Sequence, residues 1–178
     1  MRLFIAIDIP ESAQEKIESA KEKLKGDDAG LRFTKEGHMT LKFLGDVSEA
    51  RIEYVKKLLS DIKLKEFEIR LDGKLGVFPS REYIQVVWAG FEQSDELVKL
   101  KKDIDHALEE YFKKDKDFVA HVTLARVRFV RDKKGFLERI DNIKVPDVSF
   151  KVSELKLYRS ILKSEGPEYN EIMSIEAK

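Results

Sequence analysis

The chain is 178 residues long, the length of one domain, and its Lys+Arg and Asp+Glu balance at 34 each. With no net field to hold a long duplex, any phosphate it binds must be met locally. A 42% hydrophobic content with 11 Phe is enough for a packed core, and the absence of cysteine excludes disulfides, thiolate nucleophiles and sulfur-ligated metals.

From the start of the chain, Arg2 to Asp8 reads as a buried strand stopped by Pro10. Its apolar run, Leu3 to Ile7, is too short for a signal segment or a membrane span, which predicts a soluble cytoplasmic protein. Glu11 to Lys25 carries Ala13, Ile17, Ala20 and Leu24 at helical spacing and ends in the polar turn Gly26-Asp27-Asp28. His38 to Leu44 is a strand, and Ser48 is placed to cap a helix with the apolar stripe Ile52, Val55, Leu58 and Leu59. Phe67 to Leu71, Leu75 to Phe78 and Tyr83 to Ala89 read as a meander, with Asp72-Gly73 as a hairpin turn and Pro79-Ser80 as the second break.

Ser94 to Phe112 has Leu97, Leu100, Ile104, Ala107, Leu108 and Tyr111 in register for a long core-facing helix. His121 to Val130 is a strand and Lys133 to Ile140 a short helix; Val148 to Val152, Glu154 to Tyr158 and Asn170 to Ile175 are the closing strands. No Pro-, Gly- or Ser-rich linker divides the chain. The 24 Lys and 20 Glu against three Gln and two Asn are the bias of a thermophile.

One four-residue pattern occurs twice. His38-Met39-Thr40-Leu41 returns as His121-Val122-Thr123-Leu124, a little under half the chain later, each copy opening a strand that leads into a helix. The echo predicts one domain over residues 1–178 made of two similar lobes about an approximate twofold axis, each lobe giving one motif (38–41 and 121–124) to a shared cleft. In a strand, residues i and i+2 share a face, so His38 with Thr40 and His121 with Thr123 turn one way. Met39, Leu41 and Phe43, like Val122 and Leu124, turn the other. Two imidazoles titrating near neutrality can act as an acid and base pair, and two uncharged hydroxyls suit the oxygens of a phosphate. Two histidines lack a third donor for a metal. His106, between Asp105 and Ala107 in the long helix, has no echo and reads as a surface or boundary residue, and the lysine pairs read as solvated helix faces.

The paired motifs resemble those of the two-histidine phosphoesterase superfamily, and nearly the whole chain is similar to its RNA 2′,3′-cyclic phosphodiesterases, also called 2′-5′ RNA ligases. The resemblance is carried by Arg2-Leu3-Phe4-Ile5-Ala6-Ile7, His38 to Gly45, Phe78-Pro79 before Val86-Val87-Trp88, His121 to Arg126, Leu157-Tyr158-Arg159-Ser160, and Gly166-Pro167 with Tyr169. It implies an α+β, bilobal fold, with two pseudo-twofold-related lobes whose antiparallel sheets line a central cleft and whose helices lie outside. It also implies hydrolysis of RNA 2′,3′-cyclic phosphate ends to 2′-phosphomonoesters, with reversible 2′-5′ ligation by the same groups, by a monomer that uses no metal, cofactor or membrane and takes RNA ends such as tRNA fragments. By the same resemblance His38 is the proton donor, His121 the proton acceptor, and Thr40, Thr123 and Arg126 hold the phosphate. Strand parity puts Arg126 opposite His121, so it reaches the cleft only if the strand bulges; otherwise it is a salt-bridged surface residue. Phe43 stands at the equivalent place of the first motif, where it either stacks on a base or joins the core. Arg128, clustered with Arg126 and Arg131, is a further RNA contact. A phosphodiesterase for a small cyclic nucleotide or ADP-ribose cyclic phosphate needs the same four residues, and a binding module without turnover would keep the fold.

Overall fold

A computed structural model describes residues 1–35, 37–164 and 166–178. The elements in chain order are β1 (Arg2–Asp8), α1 (Glu11–Leu24), β2 (Ala29–Phe33), β3 (His38–Asp46), α2 (Glu49–Ser60), β4 (Phe67–Pro79), β5 (Ile84–Phe91), α3 (Asp95–Leu108), β6 (His121–Val130), α4 (Lys133–Asn142), β7 (Ser149–Val152), β8 (Glu154–Lys163) and β9 (Gly166–Glu176). The strands form one antiparallel system in the order β7-β4-β5-β6-β3-β1-β8-β9, with β2 paired to β6 off this path.

β1 is buried from Leu3 to Ile7 because it lies between β3 and β8 with both faces covered, which explains a continuous apolar run in place of alternation. The two motif strands are neighbours. β3 and β6 run antiparallel and share one ladder pair, Met39 with Val122, at the middle residues of the two motifs. The local twofold relation therefore passes through that pair, and each motif strand finds its remaining partners outward, β3 in β1 and β6 in β5 and β2. Helices cover the apolar side with an exchange: α1 packs on β6 and α3 on β3. Ser94 caps α3 by accepting from Leu97 N at 3.2 Å. Ser48 stands at the N-cap of α2 without making that bond.

Several expectations are corrected. Asp72-Gly73 does not turn a hairpin: β4 runs straight through it, pairing with β7 from Phe67 to Arg70 and with β5 from Leu71 onward. The positive φ of Gly73, with Asp72 Oδ1 accepting from Lys74 N at 2.8 Å, makes a bulge where the strand changes partner. α3 stops at Leu108, four residues before Phe112, so Tyr111 is exposed and meets Tyr54 edge-on at 5.1 Å. β2 was not anticipated at all: of its five residues only Ala29 is buried, and they form a strand because β6 offers them an edge. β8 and β9 extend well beyond the apolar cores seen in the sequence, as a long hairpin whose mutual pairing carries the polar end.

Lys42, in β3, is almost wholly buried and answered from α3 and the segment after it: its Nζ donates to Asp105 Oδ1 at 2.6 Å and to the Lys113 carbonyl at 2.8 Å. Lys101 donates to the other Asp105 oxygen at 2.6 Å. This buried charge cluster fixes the motif strand to its covering helix.

Candidate active site

Both motif strands contain an extra residue at the same place. Opposite β1, Ala6 pairs with Thr40 but Ile5 pairs with Lys42, leaving Leu41 unmatched. Opposite β5, Trp88 pairs with Thr123 but Val87 pairs with Ala125, leaving Leu124 unmatched. Each bulge buries two successive residues, Leu41 with Lys42 and Leu124 with Ala125, and reverses the alternation beyond them. Arg126 consequently turns into the cleft beside Thr123, as does Phe43 beside Thr40. The assignment of Phe43 to the core face is therefore corrected: the ring is 70% exposed. Strict parity fails because a two-residue period cannot register an inserted residue.

The result is a cleft of about 570 Å³ that includes His38, Thr40, Phe43, His121, Thr123 and Arg126 in its lining. His38 lies between rings. Phe4 stacks on it at 4.9 Å and Tyr169 meets it edge-on at 4.9 Å. Burial lowers its pKa to about 4 against the pull of Asp8, its register partner in β1, and His121 pushes it the same way as burial. Asp8 is held in turn by the Tyr158 hydroxyl at 2.7 Å and by Lys156 at 3.0 Å. His121 meets Phe78 edge-on at 5.0 Å, and its Nδ1 lies 2.7 Å from the Val119 carbonyl. A carbonyl can only accept, so Nδ1 carries the hydrogen and Nε2 of the neutral ring keeps its lone pair. Burial lowers the His121 pKa, and the bond to Val119 partly opposes this.

A model of the LigT-like phosphoesterase family matches residues 7–88 and 91–169. The chain belongs to that family. It is 38% identical over 97% of its length, and 98% of the relative's, to the RNA 2′,3′-cyclic phosphodiesterase of Methanocaldococcus jannaschii. Against the protein of the same name from Methanothermobacter thermautotrophicus it is 33% identical, over 97% of this chain and 96% of that one. The crystal structure of TT0787 of Thermus thermophilus superposes with a TM-score of 0.79 at 27% identity, covering 99% of this chain and 97% of that one. The thermophile bias of the composition agrees with such sources.

In this LigT-like chain the cleft is basic although the molecule is neutral: Arg2, Arg32, Lys35, Arg126 and Lys163 line it, against Glu168. Arg2 and Arg32 were missed. Arg32 sits on β2, which the sequence did not reveal, and is the register partner of Arg126; the only signal for Arg2 is its place at the head of β1. Thr34 ties this edge down, its hydroxyl donating to the Thr123 carbonyl at 2.8 Å. Arg128 lies outside this cleft. A second shift, between Gly30 and Leu31 of β2, leaves Arg128 unmatched on β6, and it lines a separate depression of about 240 Å³. His106 is on the surface, 3.0 Å from Glu109. Among the described residues no three His, Cys, Asp or Glu side chains gather as metal ligands. Among them, too, no helix is long and apolar enough to cross a membrane.

Proposed function

We propose that the protein hydrolyses RNA 2′,3′-cyclic phosphate ends to 2′-phosphomonoesters, acting as one unit of two similar lobes. The observation that carries this reading is the Nδ1 contact of His121 with the Val119 carbonyl, which leaves Nε2 as a proton acceptor in a cleft shared with His38. The names of the relatives support the substrate class.

In the proposed reaction a water oxygen bonds to phosphorus while its proton passes to His121 Nε2. The P–O3′ bond breaks on the far side, and O3′ takes a proton from His38, leaving a 3′-hydroxyl and a 2′-phosphomonoester. Thr40 and Thr123 donate to the non-bridging oxygens and Arg126 meets their charge. In the free protein His38 is neutral at pH 7, but a bound phosphodiester brings a negative charge against the ring and raises its pKa, so the substrate itself recruits the acid. With an RNA 5′-hydroxyl in place of water the same transfers form a 2′-5′ linkage. The reading needs no metal, since two imidazoles move the protons and fixed cations face the phosphate.

The test is incubation of the pure protein with an oligoribonucleotide ending in a 2′,3′-cyclic phosphate, in excess chelator, with identification of the product. A single 2′-phosphate product is expected. Activity lost to chelator and restored by a divalent metal overturns the mechanism.

A further inference from the structure

β6 runs on past Arg126, beyond the cleft, to Val130. Pairing across β2 and β6 runs in rows: Arg32 lies beside Arg126 and Gly30 beside Phe129, with Arg128 as the extra residue between them. The buried positions agree, since Ala29 and its partner Val130 pack toward the core. Phe129 therefore occupies the next outward row of the same sheet face, about 7 Å from the Arg126 row, two β2 residues at roughly 3.3 Å each. Its ring folds across Gly30, where a Cβ would collide with it, yet it remains 53% exposed. Tyr83, 64% exposed, shares the adjoining depression. Two large rings left exposed at one place mark a surface for contact rather than a scattered apolar residue.

The charges around these rings are uncompensated. Arg70, Arg81 and Arg139 are each paired with an aspartate, whereas Arg128 and Arg131 enter no ion pair among the described residues. Arg131 stands 5.8 Å from the centre of the Phe129 ring. The one carboxylate lining the depression, Glu82, faces Arg81 and Lys133. Aromatic faces flanked by free guanidinium groups are the means by which proteins bind single-stranded nucleic acid without reading its sequence.

We propose that this outer row of β6 is a track for the single-stranded RNA that precedes the cyclic phosphate, with Phe129 as a base-stacking platform and Arg128 and Arg131 meeting the backbone. The proposal rests on the function given above and deepens it: the preferred substrate is an oligonucleotide end, and a mononucleotide fills only the cleft. A protein partner or a second copy on the same rings is disfavoured by the free cations and by the place of Phe129 one row beyond Arg126 on the same sheet face.

The experiment compares kcat/KM for a nucleoside 2′,3′-cyclic monophosphate and for a hexanucleotide ending in the same group. Wild type should favour the hexanucleotide. Phe129→Ala should lose about tenfold on the hexanucleotide and nothing on the mononucleotide, while Phe129→Tyr, which keeps the stacking face, should retain wild-type values. Arg128→Ala with Arg131→Ala should flatten the salt dependence for the hexanucleotide alone. Equal effects on both substrates, or none on either, overturn the track and leave the cleft chemistry standing. If wild type turns over neither substrate, the phosphodiesterase reading fails instead, and binding of labelled hexanucleotide to wild type and Phe129→Ala decides the track: equal affinity overturns it. Dimerisation of wild type that Phe129→Ala abolishes assigns the surface to a second copy and also overturns it.

Discussion

Phe43 and Arg126 occupy equivalent positions of the two motif strands, each five residues after its histidine and each turned into the cleft by one unmatched leucine, Leu41 or Leu124. A shared backbone device thus presents an aromatic ring on one side of the phosphate site and a guanidinium on the other. This is the point at which the twofold relation is broken, and under the proposed function it gives the cleft a direction, with Phe43 offered to a base on the β3 side and Arg126 to the phosphate charge on the β6 side.

Phe43→Ala and Arg126→Ala should accordingly separate in kinetics. Losing a guanidinium that meets developing phosphate charge lowers kcat, by about 10²-fold on the scale of a single removed transition-state donor. Losing a stacking ring weakens ground and transition states alike, so Phe43→Ala should raise KM about tenfold with kcat little changed. Steady-state kinetics on one cyclic-phosphate substrate decides; the same pattern in both variants would refute the division of roles.

Replacing His38 or His121 by Ala should each cost at least about 10²-fold in turnover with unchanged circular dichroism, since the proposed function makes each a positioned proton carrier and neither fills the core. A variant with near-normal turnover would reveal a structural histidine.

What could be read from the sequence followed from periodicity. β1, α1, β3 and β6 were legible because apolar spacing reports burial, and the repeated motif was legible because the strands that carry it are related by a local axis. The bulges at Leu41 and Leu124 were not, since an extra residue costs a ladder pair without altering composition, and so Phe43 was assigned to the wrong face and Arg126 left conditional. Asp72-Gly73 misled for a related reason: a positive φ serves a bulge as well as a turn. Arg32 stayed hidden because a five-residue segment with one buried side chain becomes a strand only against β6.

Lys42 gives a stability prediction. Burial pushes the Asp105 carboxyl up, but hydrogen bonds from Lys101 and Lys42 outweigh it and hold the pKa below the ordinary range. Asp105→Ala leaves the two buried ammonium groups of Lys42 and Lys101 with only the more exposed Asp115 as carboxylate partner and should destabilise the fold by about 3 kcal/mol, whereas Lys42→Met, which removes the charge and keeps the volume, should cost less. Urea unfolding of the two variants measures the difference. Because the carboxyl pKa is depressed, the Asp105 contribution is present above the unfolded value near 3.8 and lost as pH falls below it.

The last prediction concerns pH. The working state needs His121 neutral and His38 protonated, and in the free protein burial holds both below 6.5, His38 at about 4. The profile of kcat/KM, which reports the free protein, should therefore be a bell centred below pH 6.5, with apparent values that belong to the coupled pair. In the complex the phosphate charge raises His38, so the bell for kcat should lie at higher pH. Asp8 raises the His38 pKa in the free protein, hence Asp8→Asn should lower kcat/KM on the alkaline side of the bell. Folding stability moves with the same group: a histidine whose folded pKa is depressed binds its proton more readily unfolded, so its contribution is present above about 6.5 and lost as pH falls toward 4. A rate that climbs steadily to high pH, with Asp8→Asn unchanged from wild type, would contradict proton transfer by this pair.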